Sequence, residues 1–151
     1  MPTKDQLRAS YAYEKVGALW RAYSDADVSD RKKAKRNCED YETAVKALGA
    51  NILRSGLSAA LADLMRRKDG AKELRKHLAD SQISQIPGLE NVTERDLFSR
   101  VNALDVGTYM LATRETLQVV MWLKRACDAL FDTTPDSAAT AAKANGVGHA
   151  P

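Results

Sequence analysis

The stretch of sequence that decides the fold is residues 105–131, DVGTYMLATRETLQVVMWLKRACDALF. Seven of its residues recur in alternating steps of four and three, which places them on one stripe of an α-helix. They are Tyr109, Thr113, Thr116, Val120, Leu123, Cys127 and Leu130. Asp105 stands just before the pattern, where its carboxylate caps a helix start. Further apolar residues widen the stripe: Leu117, Val119, Trp122 and Phe131. A helix with so wide an apolar surface requires packing partners on more than one side.

Helical periodicity continues outward from this segment through most of the chain. It predicts five more helices, over about residues 3–23, 30–48, 51–65, 71–85 and 94–103. Gly49 follows the last apolar position of the second helix, where a C-terminal cap belongs. Gly56 falls inside the third helix, at a cost of about 1 kcal/mol relative to alanine that close approach of a neighbouring helix would offset. We therefore predict an all-α fold, a single-domain bundle of about six helices over residues 1–131.

The composition changes after Phe131. Residues 132–151 form an alanine-rich stretch that includes Pro135 and lacks large apolar side chains. Such a segment buries too little apolar surface to offset the entropy of ordering it. We expect a disordered C-terminal tail over residues 132–151 after the helical domain.

Composition and charge narrow the class of protein. The chain has 151 residues, of which 44% are hydrophobic and 28% are charged, with a formal charge of +3. No apolar run approaches the roughly 20 residues that a membrane-spanning helix needs, and we expect no signal peptide. Cys38 and Cys127 lie far apart without metal-ligand spacing, so we expect two reduced, buried thiols and a cytoplasmic protein.

Positive charge is clustered rather than evenly spread. Lys and Arg concentrate at residues 31–36, 66–68, 72–76 and 124–125. Clustered positive charge attracts polyanions. The alternative interpretation for each cluster is a solvated helix face, or basic residues that complement the dipole near a helix C-terminus.

No constellation of residues predicts catalysis. His77 and Asp80 lie three residues apart on a helix that we expect to be exposed, and His149 falls in the tail. Two histidines so placed provide neither a metal site nor a nucleophile system. Asp25, with its acidic neighbours at positions 27 and 30, fits a capped helix connection, and a salt bridge, either i to i+4 or between helices, best explains Glu115. We therefore predict a binding protein that is not an enzyme and needs no metal or cofactor.

Two motifs carry a resemblance to a known family. The first begins at Asn51 and reads N-I-L-R-S-G-L, and the second spans residues 109–125 and reads Y-M-L-A-T-R-E-T-L with W-L-K-R after it. Together with the aromatic first helix, they make the chain similar to the small helical subunit (Cmr small subunit) of type III-B CRISPR RNA-guided effector complexes. The resemblance covers about residues 3–131.

The resemblance implies a function as well as a fold. Members of this family are non-catalytic and stack along a ribonucleoprotein filament in antiviral defence. They brace the backbone subunits and line the groove that holds the duplex of guide RNA and target RNA. The implied partners are that duplex, the backbone and large subunits, and neighbouring copies of the chain itself, with no membrane and no small-molecule substrate.

Four basic residues are the candidate nucleic-acid-binding site: Arg54, Arg114, Lys124 and Arg125. A protein that recognises a heteroduplex by its shape and backbone needs Arg and Lys to contact phosphates. We expect these side chains to converge if the third and last helices pack together. The alternatives are that Arg114 pairs with an acidic neighbour and that Lys124 and Arg125 only cover apolar surface with their stems. Trp20 and Trp122 are more typical of core anchors than of base-stacking residues.

Two other functions compete with this interpretation. The first is a structural helical adaptor whose charges serve solubility. A variant of the leading interpretation is the small subunit of a related CRISPR effector type. The second is a DNA-binding helix-turn-helix regulator, with its turn at Gly49. The helix after that turn is mostly apolar, whereas a recognition helix needs base-reading side chains.

Overall fold

The computed structural model describes residues 1–67 and 70–131. They form six α-helices and one 3₁₀ helix: α1 (Lys4–Ser24), α2 (Val28–Ser55), α3 (Leu57–Arg66), α4 (Gly70–Asp80), the 3₁₀ helix (Gln82–Gln85), α5 (Leu97–Asn102) and α6 (Val106–Phe131). No strand occurs in these two ranges. The predicted all-α, single-domain bundle is confirmed.

Local capping explains where the long helices begin. Thr3 and Gln6 form a reciprocal capping box at the start of α1. The Asp27 carboxylate accepts a hydrogen bond from the Asp30 backbone N–H at the start of α2, at 3.0 Å. Asp105 accepts from the Thr108 N–H at 2.8 Å, as its position in the sequence predicts. A hydrogen bond from the Ser29 hydroxyl and then that from the Asp30 N–H hold the pKa of the Asp27 carboxyl below its usual range, and the Thr108 N–H lowers the pKa of the Asp105 carboxyl in the same way.

Helix α6 packs against both α1 and α2. It runs parallel to α1, since Arg8 meets Glu115 and Gly17 faces Leu130. It runs antiparallel to α2, since Gly49 faces Val120 and Gly56, at the end of α2, faces Tyr109. Helix α4 covers another side of α2, and α3 joins them. The core between these helices contains large side chains that solvent does not reach: Val16, Tyr23, Tyr41, Leu48, Leu74, Leu78 and Leu123.

The expected roles of two glycines were wrong. Gly49 does not end a helix, because α2 continues through it to Ser55. A Cβ at Gly49 would lie 3.3 Å from Val120 Cγ1, so this glycine permits the close approach of α6. Gly56 is not inside a helix but separates α2 from α3, with φ +90°, a conformation that L side chains rarely adopt.

Smaller differences concern the ends of α4 and α5. Helix α4 stops at Asp80 rather than continuing to Gln85, because the Ser81 hydroxyl caps a separate 3₁₀ turn and donates to the Leu78 carbonyl at 2.6 Å. Helix α5 begins at Leu97 rather than Glu94, because residues 94–96 form a turn. Thr93 still exchanges hydrogen bonds with Asp96 across that turn.

The expected exposure of His77 was also wrong. Its helix is basic on the outside, but only 8% of His77 is exposed. The two cysteines are free and buried, as predicted. Within the described ranges, no helix has both the length and the apolar character that a membrane crossing requires. The expected disorder of residues 132–151 concerns residues outside the described ranges.

Candidate nucleic-acid interface

One face of α6 is exposed along most of its length, and its Arg114 also borders a cleft with Lys4, Asp5 and Arg8 of α1. Met110, Arg114, Met121 and Arg125 are spaced by four, seven and four residues, which places them on one stripe of the helix. All four are exposed, with exposed fractions of 63% for Met110 and 44% for Met121. We call this surface the outward face and define it by seven exposed side chains around this stripe: Leu53 of α2 and Val106, Met110, Arg114, Met121, Lys124 and Arg125 of α6. The exposed Asp128 lies on the same stripe near the end of the helix.

Three of the four sequence-predicted cations lie on the outward face. Arg114 is followed by Lys124 and Arg125 at a distance of about 15 Å along the helix axis, given the rise of 1.5 Å per residue. Among residues 1–67 and 70–131, no ion pair occupies any of the three. Their charges are therefore available to an anionic partner.

Arg54 lies on a different side of α2. It is three residues after Asn51, whose amide donates to Asp63 of α3 at 3.1 Å, so helical spacing puts Arg54 on the flank that faces α3. Gly49 and Gly56 lie on the flank that faces α6. Helical spacing therefore assigns Arg54, which is exposed, to a different flank from the α6 cations, and the convergence of all four side chains stays a prediction.

Arg125 illustrates one of the alternatives left open by the sequence. Its guanidinium lies over the ring of Trp122, 4.6 Å from the ring centroid. This cation–π contact covers a tryptophan that is partly buried against the core. Trp20 is likewise partly buried and packs on the core, so both tryptophans serve as core anchors. Arg125 retains its charge and is held close to the helix surface.

The side of α6 that faces α1 shows the opposite arrangement. Arg8 donates to Glu115 through Nε at 2.6 Å and through Nη2 at 2.9 Å, and its Nη1 donates to Asp5 at 2.7 Å. The side chains of Arg8 and Glu115 are only 12% and 13% exposed. These hydrogen bonds, with that to Glu115 the strongest, raise the pKa of Arg8 further above its usual range. The salt bridge predicted for Glu115 is present, and it joins two helices, with Arg8 as the partner.

Sequence reasoning did not find Arg8 or the role of Tyr109. The Tyr109 hydroxyl accepts a hydrogen bond from the Ser58 N–H at 3.0 Å, so α6 caps the start of α3, where no side chain of the preceding loop does so. This bond lowers the pKa of Tyr109. Arg8 and its partner are separated by 107 positions, and no local pattern predicts so distant a pair.

Comparison with known proteins decides the family. A family model described as CRISPR-associated protein (Cas_Cmr5) matches residues 4–130. The chain belongs to the Cmr5 family. The sequence-based assignment to the Cmr small subunits is thereby confirmed, and the match extends from the first residue of α1 to the last turn of α6.

A solved structure of another Cmr5 family protein has the same fold. The crystal structure of a CRISPR-associated Cmr5 family protein from Thermus thermophilus is 28% identical to this chain, with a TM-score of 0.63. The alignment covers 85% of this chain and 98% of that protein. No curated protein matches the chain. The helical body described here is therefore the whole of the Cmr5 fold seen in that relative.

The ionisable groups inside this Cmr5 bundle have structural partners. His77 Nδ1 lies 2.7 Å from the Tyr41 hydroxyl, and the Tyr11 hydroxyl donates to the His77 carbonyl at 2.6 Å. Burial lowers the pKa of His77 to about 4 and raises the pKa of the Tyr11 hydroxyl above its usual range. His77 is therefore neutral at pH 7 and joins α1, α2 and α4.

The two thiols of this Cmr5 protein are poorly suited to reaction. Burial raises the pKa of Cys38 to about 11 and that of Cys127 further still. A thiol with so high a pKa carries almost no thiolate, which is the nucleophilic form. In the part of the chain that is described, no group of three His, Cys, Asp or Glu side chains is placed to hold a metal ion.

Proposed function

We propose that this protein is a non-catalytic small subunit of a cytoplasmic type III-B CRISPR effector complex. It stacks along the filament beside neighbouring copies of itself, braces the backbone and large subunits, and helps to hold the duplex of guide RNA and target RNA. The observation that carries this proposal is the outward face of α6, where three cations without an ion pair among the described residues alternate with exposed apolar side chains.

The two kinds of side chain on the outward face suit two kinds of contact. Exposed apolar side chains that lie along one stripe of a helix are typical of a surface that binds another protein. Arg and Lys side chains at their edges reach phosphate oxygens, which dominate affinity for nucleic acid. A brace between protein subunits and an RNA duplex needs both contacts on adjoining surfaces. Arg54 supplies a further cation on the α3 side of α2.

Charge reversal tests the RNA contact. The variant Arg54→Glu/Arg114→Glu/Lys124→Glu is expected to lower target-RNA capture by the reconstituted complex while its helicity remains unchanged. For wild type, log affinity is expected to fall by roughly 0.7–0.9 for each phosphate neutralised per log unit of salt, and the variant has a shallower slope. Binding measured against salt concentration, with circular dichroism as the folding check, provides the result.

A matched control distinguishes the loss of a local RNA contact from the general effect of a change in net charge. Lys32→Glu/Lys33→Glu/Arg36→Glu changes the charge by the same amount at exposed positions near the other end of α2, and it is expected to reduce capture less. Equal losses in both variants would remove the named residues from the site. Salt-independent binding, or no RNA binding at low ionic strength in the complex, would favour the structural adaptor instead.

A further inference from the structure

The two ends of helix α1 carry surfaces of opposite charge, and one of them is concave. A cleft of about 520 Å³ lies at the start of α1, between this helix, α6 and the chain that follows the 3₁₀ helix. Its lining includes the apolar side chains of Ile86, Pro87 and Leu111 and two exposed cations, Lys4 and Arg114. We call it the α1 cleft. A volume of this size admits a few side chains of a partner rather than a whole helix.

Part of the positive charge in the α1 cleft is not neutralised within the chain. Arg8 also lines the cleft, but Asp5 and Glu115 hold its guanidinium. Within the described ranges, no ion pair occupies Lys4 or Arg114. Lys4 lies in the first turn of α1, where a cation opposes the helix dipole, so helix stability does not explain it. The cleft therefore combines apolar surface with positive charge that remains available to a partner.

The connection between α1 and α2 has the complementary character. Only residues 25–27 separate the two helices, and Val28, the first residue of α2, is 91% exposed. Asp25, Asp27 and Asp30 flank it in the sequence, and all three are exposed. In the part of the chain that is described, no ion pair joins any of these carboxylates to a cation. We call residues 25–30 the acidic tip, because it presents one apolar side chain among three carboxylates.

Capping explains only part of the acidic tip. Asp27 accepts hydrogen bonds from the Ser29 hydroxyl and the Asp30 N–H, so its carboxylate serves the start of α2. Asp25 follows the last turn of α1, where an anion opposes the helix dipole. Val28 is too exposed to contribute to the core. Asp25 and Val28 are therefore available for contact with a partner.

The acidic tip cannot reach the α1 cleft of its own chain. Helix α1 has 21 residues and is therefore about 30 Å long, and the two surfaces lie at its opposite ends. We propose that the acidic tip of one copy binds in the α1 cleft of a second copy. Val28 then contacts the apolar lining of the cleft, and the carboxylates of the tip lie beside Lys4 and Arg114.

This contact joins two different surfaces, so it is head-to-tail and does not close. Each added copy leaves one free tip and one free cleft, to which further copies can bind. The inference rests on the proposed function in that copies of this chain stack, and it names the two surfaces that meet. One tip in one cleft buries less than the roughly 1,200 Å² at the lower limit of stable interfaces, so the isolated chain should associate weakly.

Charge reversal at each surface tests the pairing, with self-association of the full chain measured by sedimentation velocity at low salt and without RNA. Lys4→Glu and Asp25→Lys are each expected to weaken association roughly fivefold to tenfold, because each places like charges together. An equimolar mixture of the two variants should restore it. The tip of the Asp25→Lys copy then meets the cleft of the Lys4→Glu copy, and the unaltered tip meets the unaltered cleft. Lys72→Glu, the same charge change at an exposed position of α4, should leave association unchanged.

Disulfide trapping locates the contact even where association is weak. Copies with Val28→Cys, mixed with copies with Pro87→Cys and oxidised glutathione, should cross-link roughly tenfold faster than when the second variant is Met65→Cys, because a docked pair of thiols has a higher effective concentration. Met65 is 47% exposed and lies outside the α1 cleft. The native thiols, Cys38 and Cys127, are buried and do not compete.

Two results would overturn the contact between copies. One is a mixture of Lys4→Glu and Asp25→Lys that associates no better than either variant alone, and the other is cross-linking at Pro87 that is no faster than at Met65. Either result leaves the α1 cleft to the competing occupant, an acidic segment of another subunit.

A variant of the outward face keeps this proposal separate from the proposed RNA contact. Arg114 borders both surfaces, so the separation relies on Lys4 and Lys124. Lys124→Glu is expected to lower target-RNA capture without changing self-association, and Lys4→Glu is expected to weaken self-association measured without RNA. If Lys124→Glu captures RNA like wild type while Lys4→Glu weakens self-association, the RNA contact loses Lys124 and the contact between copies stands.

Discussion

The two sides of α6 use neighbouring charges in opposite ways. On the side that faces α1, Glu115 is nearly buried and receives two hydrogen bonds from Arg8. On the outward face, Arg114 is exposed and has no ion pair among the described residues. The two residues are adjacent in sequence, and a step of about 100° around the helix separates them.

This difference separates charges that stabilise the fold from charges that remain available to partners. The interior also contains the hydrogen bonds of Tyr11 and Tyr41 with His77, which join α1, α2 and α4, so these polar groups are paired within the bundle. The outward face combines its cations with exposed Leu53, Val106 and Met110. Substitutions on the α1 side should therefore change stability, and substitutions on the outward face should change assembly.

The largest expected effect on stability is the response of His77, in the interior between α1, α2 and α4, to acid. Its pKa is about 4 in the folded protein against 6.5 for an unperturbed histidine. As the pH falls below about 6.5, the unfolded chain takes up a proton that the folded chain does not, so the free energy of unfolding decreases until about pH 4. The total loss is about 3 kcal/mol. Urea denaturation across this range measures it.

The variant His77→Asn isolates this contribution from the titration of carboxyl groups. An asparagine amide keeps a polar atom near the Tyr41 hydroxyl but does not titrate. The variant is less stable than wild type at pH 7, and the difference between the two proteins should shrink as the pH falls from 6.5 to 5. A difference that stays constant over that interval would show that His77 is not the titrating group.

A pair of adjacent substitutions tests the comparison directly. Glu115→Ala leaves the Arg8 guanidinium nearly buried with only Asp5 as a partner, and we expect a loss of about 2–3 kcal/mol in the free energy of unfolding. Arg114→Ala removes an exposed cation, and its effect should stay within about 0.5 kcal/mol. Chemical denaturation of both variants gives the answer, and similar losses for the two would mean that the distinction between the sides of α6 is wrong.

The sequence predicts this division only in part. The periodicity of α6 identifies which residues face inward, and Asp105 marks where the helix starts, because both depend on local geometry. Glu115 could be assigned to a salt bridge, but Arg8 could not be named, since the contact depends on how α1 and α6 pack. His77 was expected on an exposed surface because its sequence neighbours are basic, whereas burial follows from its position on the α4 stripe with Leu74 and Leu78.

The two misassigned glycines show the same limit of local reasoning. The apolar steps from Tyr41 through Val45, Leu48 and Ile52 pass over Gly49 without interruption, so the helix continues where a cap was expected. Gly56 stands between apolar residues that suit one continuous helix, and only the turn between α2 and α3 requires its positive φ. Periodicity identifies buried faces well, but it does not identify where a helix is interrupted.

Alanine substitution at both glycines gives the next smaller effect. Gly56→Ala places a Cβ in a conformation that favours glycine, and we expect a loss of about 1–2 kcal/mol. Gly49→Ala gains helix propensity of about 1 kcal/mol but places a Cβ 3.3 Å from Val120, so the two effects nearly cancel. Thermal unfolding of the two variants gives the order of their stabilities. A larger loss of stability for Gly49→Ala than for Gly56→Ala would contradict the assigned helix boundaries.

The smallest expected effect on stability belongs to the outward face. Leu53 and Met110 are 77% and 63% exposed, so Leu53→Ser/Met110→Ser removes little buried surface. The free energy of unfolding should change by no more than about 0.5 kcal/mol. If these side chains dock on a neighbouring subunit, the same variant should enter the reconstituted effector complex less readily than wild type, as measured by co-purification.

A matched substitution in the interior shows what the outward-face result means. Val16 is also apolar but fully buried, and Val16→Ser should destabilise the isolated chain, because it leaves a hydroxyl in the core and removes apolar contacts. A pair of variants in which Leu53→Ser/Met110→Ser impairs assembly at unchanged stability, while Val16→Ser lowers stability, would separate binding from folding. If the outward-face variant instead unfolds as Val16→Ser does, then Leu53 and Met110 contribute to the core of the protein in solution, and the outward face would not be a binding surface.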